Sequence, residues 1–242
     1  MNIKTILKRG YAHDLACQDA IFYFENEDFV FASVFDGCSD VVDSHFASNL
    51  LSKTFKKVIQ NVSYVETETL SIEELSVDIL NNFFLKISLI QVELNLTVKD
   101  VMSTCIFLFY NKNNKQGIIY AFGDGVIQID DNLIVLDHEN EPKYFSMFWK
   151  DLTGGKSTLT GFLSTYEQIW KFNNFNNVVI STDGILSFKN TEAIQYFFNE
   201  TLINGSSKIH QESFFEKIYN ISIQKKWTHN DDLGIIRIIN HE

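Results

Sequence analysis

Four aspartates each stand at the end of an apolar, strand-like run: Val34-Phe35-Asp36-Gly37, Phe122-Gly123-Asp124-Gly125, Ser181-Thr182-Asp183-Gly184 and Asn230-Asp231-Asp232-Leu233. In three of the four a glycine follows, which lets the backbone turn tightly where a strand stops. Carboxylates at several strand ends can converge on one point, and convergent carboxylates repel unless a cation sits between them. A hard divalent ion such as Mg²⁺ or Mn²⁺ takes oxygen ligands and keeps several waters. Two such ions about 3.5–4 Å apart clamp a phosphate and turn a shared water into hydroxide at neutral pH. Asp36, Asp183 and Asp231 meet that need if their strands lie side by side. An isolated Asp-Gly pair is more often an ordinary turn. The shared placement, apolar strand and then aspartate, is what carries the metal reading.

The elements that must position these residues follow from periodicity. Ala20 to Phe24 and Phe29 to Phe35 read as a hairpin around the polar Glu25-Asn26-Glu27-Asp28. Val42, Phe46, Leu50, Leu51, Phe55, Val58 and Ile59 then form one helical stripe, with Ser39 or Asp40 as N-cap. A second helix opens on the capping box Ser71-x-x-Glu74 and carries Leu75, Ile79, Leu80, Phe83, Phe84, Ile87 and Leu94 on one face. Thr104 to Tyr110, Gly117 to Phe122, Val126 to Ile129 and Leu133 to Leu136 read as an antiparallel meander. Glu139 to Asn177 is mixed in pattern and reads as a loop-rich excursion with one short helix. Val178 to Ser181 is a buried strand. Helices follow at Thr191 to Leu202 and Ser207 to Ile223, and a last strand at Leu233 to Ile239. Helices come in pairs and do not alternate with single strands, so two antiparallel sheets covered by helix pairs are expected, an α+β class in one domain over residues 1–242.

Composition narrows the function. With 242 residues and 45% hydrophobic content the chain can build a substantial core. A net charge of −11 argues against nucleic acid, whose phosphates need clustered Lys and Arg, and against a metal-dependent nuclease. Phosphate can still be handled locally where a metal supplies the positive charge. Cys17, Cys38 and Cys105 show no CxxC spacing, so neither a disulfide framework nor a structural zinc is expected. No signal peptide and no uninterrupted apolar stretch of ~20 residues is visible, and the expectation is a cytoplasmic protein without a membrane partner.

Six motifs follow one another along the chain: His13 with Cys17-Gln18-Asp19-Ala20, Val34-Phe35-Asp36-Gly37, Met102-Ser103-Thr104-Cys105, Phe122-Gly123-Asp124-Gly125, Ser181-Thr182-Asp183-Gly184 and Asp231-Asp232-Leu233-Gly234. In that order they resemble the metal-dependent serine/threonine phosphatases of the PP2C (PPM) family, and most closely compact bacterial members. The resemblance implies an α-β-β-α sandwich and a metal-activated water acting on phosphoserine or phosphothreonine in a protein substrate. It implies two Mn²⁺ or Mg²⁺ ions, with room for a third. Asp36 would bridge two of them with the Gly37 carbonyl as a further ligand. Asp183 and Asp231 would complete the shell of the first ion, and Asp19 would support the second ion directly or through water. Asp100 lies near where some members bind the third ion, while Asp124 reads as a structural turn carboxylate. His13 stands where many members have a phosphate-holding arginine, and it lacks that residue's bidentate fork. Gln18, Cys38 and Gly234 also depart from the family pattern. These departures leave an alternative from another class, a catalytically weak PP2C-like binding or regulatory module.

Other candidates read as bland. Gly154-Gly155-Lys156-Ser157 lacks the earlier glycine of a phosphate-binding loop, that position being Lys150, and reads as a loop. His45 and His210 read as structural or surface residues, His138 and His241 give no signal, and His229 reads as a turn residue.

Overall fold

The computed structural model describes residues 1–41, 43–62, 70–138, 144, 146–147, 159–163, 166, 168, 169–188, 190, 192–199, 219–220 and 223–240. Among the described residues ten strands form two five-stranded sheets: β1 (Asn2–Lys8), β2 (Asp19–Glu25), β3 (Phe29–Gly37), β4 (Ser103–Asn111), β5 (Gln116–Phe122), β6 (Gly125–Ile129), β7 (Asn132–Leu136), β8 (Ile169–Asn173), β9 (Asn177–Ser181) and β10 (Leu233–Ile239). One sheet has the order β1-β10-β9-β6-β7 and the other β2-β3-β4-β5-β8, with every pairing antiparallel. The helices are α1 (Ser44–Gln60), α2 (Ile72–Glu93), α3 (Leu159–Leu163) and α4 (Glu192–Asn199).

Alternation along the strands divides the core into three layers. Val30, Ala32, Val34, Ile106, Leu108, Val178, Ile180, Ile236 and Ile238 fill the space between the sheets. The opposite residues of β3 and β4, including Phe31, Phe35, Phe107 and Phe109, point outward against Leu51, Phe55, Phe83 and Ile87 of α1 and α2. Val126, Val179 and Ile235 on the outer face of the other sheet pack against Ala193, Phe197 and Phe198 of α4. The result is two antiparallel sheets covered by helices, as the order of elements predicts, in the α-β-β-α sandwich that the resemblance implies.

Several local expectations change. The β1 strand was not anticipated; it pairs along β10, from Asn2 opposite Ile239 to Lys8 opposite Leu233. The excursion before β9 contains both the short helix α3 and the unexpected edge strand β8. The meander breaks at Gly123-Asp124, because β6 leaves β5 and pairs with β7 and β9 in the other sheet. Gly123 makes that crossing possible: its φ of 92° is strained for any side chain, and a Cβ there would lie 2.8 Å from Thr104 Cγ2.

Helix α1 is capped by Asp43, not by Ser39 or Asp40, and the cap makes no side-chain bond. Its buried stripe is Ser44, Ala47, Ser48, Leu51, Thr54, Phe55, Val58 and Ile59, which leaves Phe46 exposed. The capping box at α2 is formed in full: Ser71 Oγ accepts from Glu74 N at 3.2 Å, and Glu74 Oε2 accepts from Ser71 N at 2.9 Å. Leu94 falls at the α2 C-cap and is exposed. By length and composition α2 could cross a membrane, but its apolar stripe is packed on the sheet as core. Most of the helix expected over Ser207 to Ile223, the Gly154-Gly155-Lys156-Ser157 loop, His210 and His241 lie outside the described residues.

Candidate active site

Strand register brings the first carboxylates together. Asp19 on β2 is opposite Asp36 on β3, which is opposite Thr104 on β4, so the three form a row on the inner face of one sheet. The other sheet meets this row through Thr182 and Gly234. Thr182 Oγ1 donates to Asp19 Oδ2 at 2.7 Å and accepts from Gly234 N at 3.0 Å. The backbone N–H of Thr182 donates in turn to the Gly234 carbonyl at 3.0 Å. Gly234, a departure from the family pattern, has a physical reason: a Cβ there would stand 3.2 Å from Asp19 Oδ2. The hydroxyl of Thr182 serves Asp19 from the neighbouring strand.

Asp183 opens a 3₁₀ turn over Asp183–Ser187 directly after β9. That turn is tied to the segment carrying Asp231. Ser187 Oγ accepts from the N–H groups of Asn230 and Asp231, both at 3.1 Å, and donates to the Gly184 carbonyl at 2.7 Å. Gly184 allows the contact, since a Cβ there would fall 1.6 Å from the Asp232 carbonyl oxygen. His229 is fully buried behind this segment, where its Nδ1 contacts the Asp231 carbonyl at 2.7 Å and its Nε2 the Tyr219 hydroxyl at 3.2 Å.

A cavity of about 450 Å³ opens over these elements, lined by Asp36, Gly37, Asp124, Asp137, Asp183 and Asp231, with Gln18, Cys38, Thr104 and Tyr144 among the rest. The structure therefore brings Asp36, Gly37, Asp183 and Asp231 to one place. No Lys or Arg is among the described lining residues. Burial, then the negative charges of Asp19, Asp183 and Asp231, pushes the Asp36 carboxyl well up. Asp19 is also driven up, by burial first, against the pull of the Thr182 hydroxyl. Asp183 rises to about 6, through burial and then the charges of Asp231 and Asp124. These are carboxylates short of positive charge.

Among the described residues, no three His, Cys, Asp or Glu side chains are drawn together closely enough to form a ready metal-binding group. The donor set is all oxygen, which suits a hard cation that retains water ligands.

Three predicted residues sit differently from expectation. Asp19 is 2% exposed and lies beneath Asp36, outside the cavity lining. Its carboxyl meets that of Asp36, so it supports the site from below. Asp100 is not in the lining; its Oδ2 accepts from Thr97 N at 2.6 Å and Thr97 Oγ1 at 2.7 Å, closing a local turn. His13 is not in the cavity lining and faces the Asp231-Asp232 segment. Its Nδ1 lies 2.9 Å from Asp232 Oδ2 and its Nε2 3.7 Å from Asp231 Oδ1.

Asp232 explains that turn of His13. It is buried, and its Oδ1 accepts from Gly10 N at 2.6 Å while its Oδ2 accepts from Gln18 N. One carboxylate thus pins both ends of the loop between β1 and β2 to the segment holding Asp231. Sequence reasoning passed over Asp232, although its place beside Asp231 was the available signal. Tyr144 was missed as well, because it lies in the segment of mixed pattern. It lines the cavity beside Cys38, and burial, then the bond to Cys38, pushes its hydroxyl pKa far up. Asp124, read as a turn carboxylate, lines the cavity and is paired with His138.

Comparisons with known proteins address the family and the fold. The Protein phosphatase 2C family model matches residues 8–216. Among solved structures, a bacterial serine phosphatase superposes with a TM-score of 0.60 at 11% identity, covering 98% of this chain and 96% of that one. The serine/threonine phosphatase Stp1 from Staphylococcus aureus gives 0.60 at 12% identity, over 100% and 96% of the two chains. RsbX in complex with magnesium gives 0.52 at 15% identity, over 98% and 94%. At these identities the likeness to solved structures is one of fold. No curated protein sequence matches the chain. The family match spans most of the sequence and covers the strands and turns that carry Asp19, Asp36, Asp124 and Asp183, and on that ground this chain belongs to the protein phosphatase 2C family, the metal-dependent phosphoprotein phosphatases.

Proposed function

We propose that this protein hydrolyses phosphoserine and phosphothreonine in protein substrates, with Asp36, Asp183, Asp231 and the Gly37 carbonyl holding Mn²⁺ or Mg²⁺. The observation that carries the reading is the cavity itself: aspartates from separate segments line it, and no cationic side chain among the described lining residues balances them. A bound divalent cation supplies the positive charge that offsets a phosphate dianion and lowers the pKa of water toward neutrality.

The chain's own residues do the positioning. The β2-β3-β4 row fixes Asp36, with Asp19 and Thr182 behind it. Ser187 holds the Asp183 turn against the Asp231 segment, so the two carboxylates keep a set spacing. Tyr144 retains its proton at neutral pH and offers a hydrogen-bond donor to a phosphate oxygen. The reading extends to a cytoplasmic setting, which the free thiols of Cys17, Cys38 and Cys105 support.

The test is phosphopeptide and aryl phosphate hydrolysis with and without Mn²⁺, alongside calorimetric titration of the ion. Wild type should bind Mn²⁺ and require it for turnover. Asp183→Asn and Asp231→Asn should abolish turnover while circular dichroism stays unchanged. Mn²⁺-dependent hydrolysis retained by both variants refutes the assignment.

A further inference from the structure

Helix α2 carries two apolar stripes. Leu75, Ile79, Leu80, Phe83, Phe84 and Ile87 are the buried one, part of the core beneath the helices. On the opposite side Leu85, Leu89 and Val92 stand at i, i+4 and i+7, and they are 62%, 63% and 81% exposed. The helix is apolar enough by composition to cross a membrane, yet only 39% of its most apolar stretch is buried in the fold. Toward the N-terminus the exposed face turns polar, through Asp78, Asn81 and Asn82. The exposed stripe thus belongs to the last turns before the C-cap at Leu94. Contiguous exposed apolar side chains of this kind mark a surface that another body covers.

Steps of four and then three residues form a coiled-coil seam, with Leu85 and Val92 at d and Leu89 at a. Lys86 and Glu93 then both fall at e, on one flank of that seam. Among the described residues neither has an ion-pair partner. A second copy of the helix supplies one. In an antiparallel pair e positions face e positions. With Leu89 of each copy set on Val92 of the other, Lys86 comes opposite Glu93 of the partner, twice. Slipping the pair by one heptad, so that Leu85 meets Leu89, brings Lys86 against Lys86. In a parallel pair e faces g, and the g positions are the uncharged Asn81 and Ser88. Charge therefore selects one orientation and one register. A lipid surface fits less well, since it calls for Lys and Arg beside the stripe, and this flank pairs a single Lys with Glu93 in a chain of net charge −11.

We propose that this protein self-associates through α2, the Leu85-Leu89-Val92 stripes of two copies packing antiparallel with Lys86 of each copy on Glu93 of the other. The same patch serves both partners, so the assembly closes as a dimer. The pairing is independent of the phosphatase reading, and none of its residues lines the active cavity. Its size sets its strength. From Leu85 to Val92 the stripe is about 11 Å long. A standard interface buries about 800 Å² on each partner, more than a helix face of that length supplies. The dimer is accordingly weak and reversible, with a Kd on the order of 10–100 μM.

Sedimentation equilibrium of the full-length protein, from about 1 μM to about 1 mM, tests this. The wild-type mass should rise from 28.0 kDa toward twice that value. Leu89→Ser should stay at 28.0 kDa throughout, with the Tm of the dilute protein unchanged, because the side chain is exposed in the single copy. Lys86→Glu and Glu93→Lys each turn two attractive pairs repulsive, so each should weaken association by about 10-fold at low salt and by less at high salt. The double variant Lys86→Glu with Glu93→Lys restores both pairs and should associate like wild type. Wild type that stays monomeric over the whole range overturns the proposal, and binding of that monomer to phosphatidylcholine vesicles would give the stripe to a lipid surface instead. A wild-type dimer that Leu89→Ser leaves intact places the interface elsewhere and also refutes it. A double variant as weak as the single ones refutes the antiparallel register.

Discussion

Asp232→Asn probes the joint that carries half of the site. The substitution conserves shape and removes one acceptor. In the native protein Oδ1 receives the Gly10 N–H at 2.6 Å, and Oδ2 receives the Gln18 N–H and faces His13 Nδ1 at 2.9 Å. An asparagine amide must turn its NH₂ toward one of these donors. If it faces Gly10, a peptide N–H is left without an acceptor. If it faces the other side, His13 can present a lone pair from its ring, but the Gln18 N–H cannot adapt. Either way one charge-assisted bond of about 1.5–3 kcal/mol is lost, and a buried donor is stranded. Because His13 relieves part of this, the net cost should be about 2–4 kcal/mol. For a chain of this size that corresponds to a fall in Tm of roughly 4–16 °C. Urea unfolding and calorimetry on metal-free protein measure it. Mn²⁺ affinity measured well below the new Tm should fall as well, because the loop and Asp231 share this anchor. A variant whose Tm stays within about 1 °C of wild type refutes the claim that Asp232 pins the β1–β2 loop.

Three further outcomes follow from the packing and the charges. In the metal-free protein the folded state holds protons on Asp183 up to about 6, against 3.8 for the unperturbed group. The folded state therefore binds more protons than the unfolded chain over that window, and apo stability should fall as pH rises from about 4 through about 6. Saturating Mn²⁺ should remove or reverse that slope in pH-dependent thermal scans, and a flat apo profile counts against the buried cluster. Phe55 meets the rings of Phe22, Phe35, Phe83, Phe107 and Phe109, so Phe55→Ala should cost about 3–5 kcal/mol in urea unfolding; a loss under ~1 kcal/mol contradicts the packing. Gly123→Ala should destabilise by about 1–3 kcal/mol, since φ of 92° and Thr104 both oppose a Cβ there, and denaturation midpoints unchanged from wild type would contradict the crossing turn.

What the sequence determined by itself is whatever short-range pattern specifies. The apolar, aromatic and β-branched runs at Phe29 to Phe35 and Leu233 to Ile239, the box at Ser71 and Glu74, and an aspartate at each strand end were legible because one element suffices to produce each signal. The fold class followed from the order of those elements, and the family from motifs in that order. What only the tertiary structure decided was partnership between remote segments. Asp36 and Asp19 share a row because β2 and β3 pair in one register, which places Asp19 beneath the cavity and not at its wall. His13 turned to Asp232, and His138 to Asp124, because loops distant in the chain close on each other. The break in the meander at Gly123 likewise depends on which sheet β6 joins, a choice made by burial on both faces of the sandwich. Local sequence sets what each element is; the burial of apolar faces and the demand of each buried carboxylate for a donor set what it meets.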